Sequence, residues 1–540
     1  MKESSRNSVS ILTPFQQRLF LAIWTAQLVS NIGTWMQSTA AAWMMTGLDP
    51  SPVMVALVQT AASLPIFFLG LFAGAIADVT DRRRFIIFTQ IWMLVSAAIL
   101  AILTIDGLTT PFSLLLLTFS LGIGSALMMP GFQAIFPDIV PRPQLPTAVT
   151  LNSVSYNIAR CVGPALGGLI VALAGPGPVF FLNAISFLGV VFVLLLWTPQ
   201  EKPDHIPPEN IVSAMRTGIR YFWHARDLKC VLIWTAVFTF FGSAVWALMP
   251  LVAFNLGVGA WGYGTLIGAL GMGSLIGAGI LSRVRSSLSL KTLVTGAEII
   301  FAAATVVLGF EYSFPLLMIA MIAGGIAWIT IVSNFNATVQ TVVPSWVQAR
   351  ALGLYWMIFS GGMAISSYFW GVIADFTSVS TALLIAGIGL LITLPLIVRL
   401  PLRDGVSLDM SPARYWSESR FAPEPKSHSG PVFVTRKYRI DPCHEDEFLA
   451  DMRHVERLIR RDGAVDWRLV RDLKDPSLFI EVFVTESWAD HLRQHERLTV
   501  EDLEIEQKAR IWQTKETSPA VRHFVSAYNY EPEQKTDQDI

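Results

Sequence analysis

Asn157-Ile158-Ala159-Arg160-Cys161-Val162-Gly163-Pro164-Ala165-Leu166-Gly167-Gly168 is the stretch that decides how the chain must fold. It lies inside an apolar segment from about Ala148 to Ala174, long enough to cross a bilayer at roughly 1.5 Å of rise per residue. Gly163, Pro164, Gly167 and Gly168 are poor choices for the interior of a water-soluble helix. In lipid they make sense, because small residues let helix backbones approach and neighbouring helices re-satisfy the groups a proline frees. Arg160 falls roughly 18 Å along the segment, near the bilayer midplane. A guanidinium at that depth is costly unless it faces water or an acceptor. The rest of the chain is expected to form a wall around it.

Composition agrees. Of 540 residues, 53% are hydrophobic and only 15% charged, which indicates a polytopic membrane protein rather than a soluble enzyme. The net charge of −1 conceals +6 over residues 1–403 and −7 over 404–540, a membrane domain with basic loops followed by an acidic soluble domain. Cys161, Cys230 and Cys443 are too scattered for a disulfide framework or a metal site. No Gly-x4-Gly-Lys-Ser/Thr motif is present, so the sequence offers no ATP site. No cofactor is expected, and nothing in the pattern suggests a nucleic-acid partner. The segment near Leu19 to Met45 is too long for a signal peptide and reads as a first span.

Twelve apolar segments can be placed, at about 19–45, 53–77, 85–105, 112–136, 148–174, 178–197, 230–254, 262–281, 291–310, 314–340, 350–374 and 380–399. Lys and Arg precede the first and then occupy alternate loops, with Arg82, Arg83 and Arg84, Arg142, Lys202 to Lys229, Arg283, Arg285 and Lys291, and Arg350. The intervening loops carry none, which predicts cytoplasmic N- and C-termini in a cell membrane. A repeat at an offset of 203 residues pairs Gly70 with Gly273, Gly74 with Gly277, Val140-Pro141 with Val343-Pro344, and Gly168 with Gly371. Duplication of a six-helix unit explains it. The expected fold is an all-α membrane protein of 12 transmembrane helices in two six-helix bundles, 1–200 and 230–403, joined by a cytoplasmic linker, 201–229. In that linker, Ile211 to Phe222 reads as an amphipathic surface helix.

Gly74-Ala75-Ile76-Ala77-Asp78-Val79-Thr80-Asp81-Arg82-Arg83-Arg84 resembles the loop signature of the major facilitator superfamily. The resemblance implies a cytoplasmic gate in which Gly74 permits a close crossing, Asp78 latches to the other half, and Arg82 and Arg83 tune the latch. Two positions depart from the pattern: Val79 replaces the usual basic residue and Asp81 the usual glycine. Ala159 to Ile170 resembles the fifth-helix motif of the superfamily's antiporters, with Gly163-Pro164 and Gly167-Gly168 in register, which implies export. Together with Asn31-Ile32-Gly33-Thr34-Trp35, the chain over about 11–400 resembles the enterobactin-exporter-like branch of transmembrane secretion effectors.

Those antiporters often carry an arginine midway along helix 4, where this chain has Thr118, so Arg160 becomes the candidate cavity cation. Polar and aromatic residues at depth are expensive unless they line a path or pair across helices. Asn31, Gln133, Tyr156, Asn157, Trp246, Asn334 and Asn336 are the further cavity candidates, with Gln27, Gln37 and Gln340 beside them. Such a cavity suits amphipathic, anionic or aromatic small molecules. Glu298, roughly 10 Å into its span, is the candidate coupling carboxylate.

Residues 404–430 read as a proline-containing linker, 431–530 as a cytoplasmic domain and 531–540 as a tail. Strands at 432–440, 465–473, 478–485 and 522–528, with helices at 445–461 and 488–512, give the β-α-β-β-α-β order of a ferredoxin-like α+β fold. With Trp488, His491 and His495 it resembles the dimeric α/β-barrel group that contains antibiotic-biosynthesis monooxygenases, which implies a homodimer through this domain. His491 and His495 share one helix face, read as solvated, and no metal is assigned. The expected function is secondary export of small amphipathic molecules, siderophore or drug-like, by alternating access, with the lipid bilayer as surroundings and no enzyme activity. The alternative is a membrane-tethered enzyme using the monooxygenase-like domain.

Overall fold

The computed structural model describes residues 13–197, 221–310, 313–395, 400, 402, 413, 425–514 and 521–527. Most of the expected surface helix at 211–222, most of the 404–430 linker and the 531–540 tail lie outside them. Among the described residues the helical part runs α1 (Arg18–Leu48), α2 (Pro52–Val79), α3 (Arg82–Ile105), α4 (Pro111–Ile139), α5 (Leu145–Ala174), α6 (Pro176–Leu196), α7 (Arg226–Asn255), α8 (Gly259–Arg285), α9 (Leu290–Gly309), α10 (Phe314–Thr341), α11 (Ser345–Phe376) and α12 (Val379–Thr393). Ten of them are long and apolar enough to cross a membrane. The other two are α1, which carries Gln27, Asn31 and Gln37, and α12, of which 15 residues are helical among those described.

Helix ends follow local chemistry. Thr110 and Ser113 form a capping box on α4, and Ser289 and Ser378 cap α9 and α12. Asp81, standing where the loop motif has glycine, caps α3 by accepting from the Arg84 backbone N–H at 3.1 Å. The departure from the motif therefore has a structural use.

Glycines bring the helices into backbone contact. Gly122 sets α4 against α2, where an added Cβ would lie 2.9 Å from the Ala62 carbonyl oxygen. Its counterpart 203 residues on, Gly325, brings α10 onto α8 in the same way, against the Leu270 carbonyl. The first six and last six helices meet along two seams. In one, Gly168 of α5 faces Ala260 and Gly264 of α8, with Cβ positions 2.6 and 2.8 Å from the nearest atoms. In the other, Gly371 of α11 faces Ala56 and Pro52 of α2 at 2.7 and 3.0 Å, and Thr60 donates to the Ala364 carbonyl at 2.8 Å. Gly168 and Gly371 are repeat partners, so one duplicated glycine makes both seams. Both seams also lie toward the end of the helices that carries the loops without Lys or Arg.

Contacts divide the chain into two units, Met1–Pro208 with Leu232–Ala337 and Gly353–Leu402, and Glu209–Val231 with Thr338–Leu352 and Arg403–Ile540. The second holds a four-stranded antiparallel sheet of β1 (Val432–Arg439), β2 (Asp466–Arg471), β3 (Leu478–Thr485) and β4 (Val521–Val525), in the order β2-β3-β1-β4. Phe448, Met452, Val455 and Ile459 make a buried stripe on α13 (Glu445–Asp462) and share one core with Val432, Val434 and Phe483 of the sheet. Buried Glu481 accepts from the Tyr438 hydroxyl at 2.9 Å and Trp467 Nε1 at 2.8 Å. The helix expected over 488–512 is two helices, α14 (Trp488–Arg497) and α15 (Val500–Ile511). Thr499 breaks it by forming a capping box with Asp502, accepting from the Asp502 N–H at 3.3 Å.

Candidate functional site

Residues three and four apart on a helix share a face, so Tyr156, Asn157 and Arg160 of α5 point the same way. Arg160 is buried, only 7% exposed, with its guanidinium 5.3 Å from the Trp246 ring of α7 and 5.7 Å from the Trp328 ring of α10. Trp35 of α1 closes the group, 6.2 Å from Trp246 and 6.0 Å from Tyr156 between ring centroids. Ring faces attract a cation, but they accept none of its in-plane hydrogen bonds. Nε and Nη2 of Arg160 have no acceptor among the described residues, and the Trp246 indole N–H has none either. Leaving a buried donor unsatisfied costs roughly 1–3 kcal/mol, and more when it is charged. The buried fork is therefore short of acceptors, and a planar guanidinium backed by aromatic walls can hold a carboxylate or another oxyanion through paired bonds.

The other cavity candidates divide. Asn334 of α10 is fully buried and donates to the Thr330 carbonyl at 2.7 Å, while its Oδ1 lacks a donor. Asn157 donates to the Ser153 carbonyl at 2.9 Å, and Asn31 accepts from Gln27 at 3.0 Å. Gln37 accepts from Asn183 of α6 and so ties two helices of one half together. Asn336 is half-buried on α10, and Gln133 is placed only by its position in α4. Trp35 and Trp328 join the Arg160 cluster although the sequence did not single them out as its members. Trp35 stood in a quoted motif, but nothing in the local sequence distinguishes Trp328 from the rest of the 17 tryptophans.

The gate candidates are placed as follows. Gly74 and Asp78 lie in the last two turns of α2. Arg82 is half-buried at the start of α3. Arg83 donates to the Leu194 and Leu195 carbonyls at 2.7 and 2.8 Å, capping the end of α6 within its own half. The antiporter-motif residues also separate by role. Gly163 and Gly167 face Trp35 and Met36 of α1, whereas Pro164 and Gly168 lie on the α8 seam. Glu298 is buried on α9 and accepts from Thr393 of α12 at 3.1 Å. Phe301, one turn further on, lies 5.5 Å from Trp328.

In the second unit, the reading of His491 and His495 as a solvated face is corrected. His491 is fully buried and His495 half-buried, their Nε2 atoms 3.2 Å apart. The α14 face that carries them meets His523 of β4, whose ring lies 4.9 Å from that of His491.

A family model described as transmembrane secretion effector matches residues 9–531. The chain belongs to that family. The chain is 28% identical over 223 residues to the staphyloferrin A transporter of Staphylococcus aureus, a match covering 41% of this chain and 56% of that relative. It is 24% identical over 417 residues to the multidrug efflux pump Tap of Mycobacterium tuberculosis, covering 72% of this chain and 94% of the pump. Its fold is shared with a crystal structure of a POT family transporter in complex with 5-aminolevulinic acid, at a TM-score of 0.59 and 13% identity, covering 71% of this chain and 96% of that one. The protein is thus a multi-pass membrane transporter of the major facilitator superfamily, and its relatives are transporters rather than enzymes.

Proposed function

We propose that the protein exports small amphipathic anions bearing aromatic or apolar groups, by alternating access of two six-helix bundles. The buried Arg160 fork, walled by Trp246 and Trp328, with Nε and Nη2 lacking acceptors among the described residues, is the observation that carries this reading. The siderophore transporter and the efflux pump among the relatives support the solute class and the direction. The basic loops favour an orientation with both termini and the tail domain in the cytoplasm. The two glycine seams then close the outer side, and the half-exposed Tyr156 marks an inward-facing mouth. Twelve crossings follow if α1 and α12 span as the other ten do. The boundaries that go with this are bundles at 1–200 and 230–403, a linker at 201–229, and an accessory domain at 431–530.

Gly74, Asp78 and Arg82 are retained as the inner gate, with Arg83 acting through α6. Glu298 is retained as the coupling carboxylate, linked to the cavity through Phe301 and Trp328. The sheet order β2-β3-β1-β4 supports a ferredoxin-like tail, for which we propose dimerisation. An efflux screen in a pump-deficient host, with siderophores and amphiphilic drugs of each charge sign, tests the function. Export of anionic members, lost in Arg160→Ala with normal membrane insertion, is expected. Unchanged export by the inserted variant would discard the proposal.

A further inference from the structure

The tail domain holds a side-chain cluster that transport does not use. His491 and His495 stand one turn apart on α14, and His523 lies on β4, opposite Val434 of β1. Each offers one ring nitrogen, and the three nitrogens lie within 4.8 Å of one another. The closest pair, at 3.2 Å, is near the ~3.4 Å that separates two imidazole nitrogens on a tetrahedral zinc with bonds of about 2.0–2.1 Å. The scaffold holds them in place: Ser487 caps α14 by accepting from the Asp490 N–H at 3.2 Å, and buried Trp488 packs 5.3 Å from the His491 ring.

We propose that His491, His495 and His523 form a three-histidine site for a borderline first-row divalent cation of the zinc type, with a fourth position left for water or a small ligand. Three imidazoles suit zinc, nickel, copper and iron far better than magnesium or calcium. Arg436 is the adjacent charge that opposes a cation, and it is engaged by Glu506 at 3.0 Å and Glu481 at 3.8 Å.

The test uses the full chain in detergent, stripped with a chelator and titrated with zinc against a competing dye, then with cobalt(II). The expected result is one zinc per chain, a tetrahedral cobalt spectrum, and a loss of roughly 100-fold or more in affinity for His495→Asn and for His523→Asn. The double variant Cys443→Ser, His444→Asn, in the exposed cluster with Asp441, controls for surface binding and should leave the affinity unchanged. X-ray absorption of the zinc-loaded, unsubstituted chain should count three imidazoles, a readout independent of how the variants fold. Absence of stoichiometric zinc, full affinity in both histidine variants, or a shell without imidazole would each overturn the site.

Discussion

Arginine and lysine differ at position 160 in a way that can be measured. Lysine keeps the charge but loses the flat fork that lies over Trp246 and Trp328. Arg160→Lys is therefore expected to retain some efflux of anions, at least about tenfold below the parent, equivalent to roughly 1.4 kcal/mol. Arg83→Ala should behave differently. It removes two charge-assisted bonds from the end of α6, so detergent thermal unfolding should show a loss of about 1–3 kcal/mol, and efflux by inserted protein should fall as the gate loosens. The histidines give a pH signature. His491 and His495 stay neutral in the fold and protonate in the unfolded chain, so their effect is absent above pH ~6.5 and destabilises the tail as pH falls toward about 3. Tail stability measured against pH in metal-free buffer should slope less in His495→Asn than in the parent, by up to about 1.4 kcal/mol per pH unit. Equal slopes would show that His495 already titrates in the fold. Arg160 was legible because a charge inside an apolar segment has few explanations. Trp328 was not, since a tryptophan there reads the same whether it faces the cavity, lipid or a neighbouring helix.

Elements test the seams. Gly168 has the Ala260 carbonyl 2.6 Å from where a Cβ would sit, whereas the nearest atom to a Cβ on Gly70 is an Ile66 methyl at 3.9 Å. Gly168→Val should force α5 and α8 apart, cost about 1–3 kcal/mol and abolish transport, while Gly70→Ala should do neither. Thermal unfolding and efflux of the two variants, compared side by side, check this. The sequence marked these glycines as a group but not by partner. Gly163, Gly167 and Gly168 share one motif, yet two face α1 and one faces the opposite half. Only the helix phase relative to each neighbour separates them, and a sequence does not state that phase. The break at Thr499 was legible in principle, because Thr499-Val500-Glu501-Asp502 has the spacing of a capping box. The apolar residues on either side outweighed it.

For the whole molecule, a mostly helical, multi-pass membrane fold was the most legible feature. Alternating basic loops and a constant repeat offset are long-range regularities that survive any local ambiguity. The two seams give that repeat its physical meaning, since Gly168 and Gly371 do the same work in opposite halves. Burial in the tail domain was far less legible, because a histidine pair at i, i+4 reads the same whether or not a strand covers it. Removing 404–540 should leave substrate efflux in place if transport resides in the helices. Abolished efflux in an inserted truncation, with turnover by the tail, would favour a tethered enzyme instead. The most direct measurement is counterflow in proteoliposomes, comparing the parent chain with Arg160→Gln at equal reconstitution on an anionic substrate taken from the efflux screen. Uptake by the parent and none by the variant is the expected result. Equal counterflow by both would contradict the assignment of Arg160 as the substrate's charge partner.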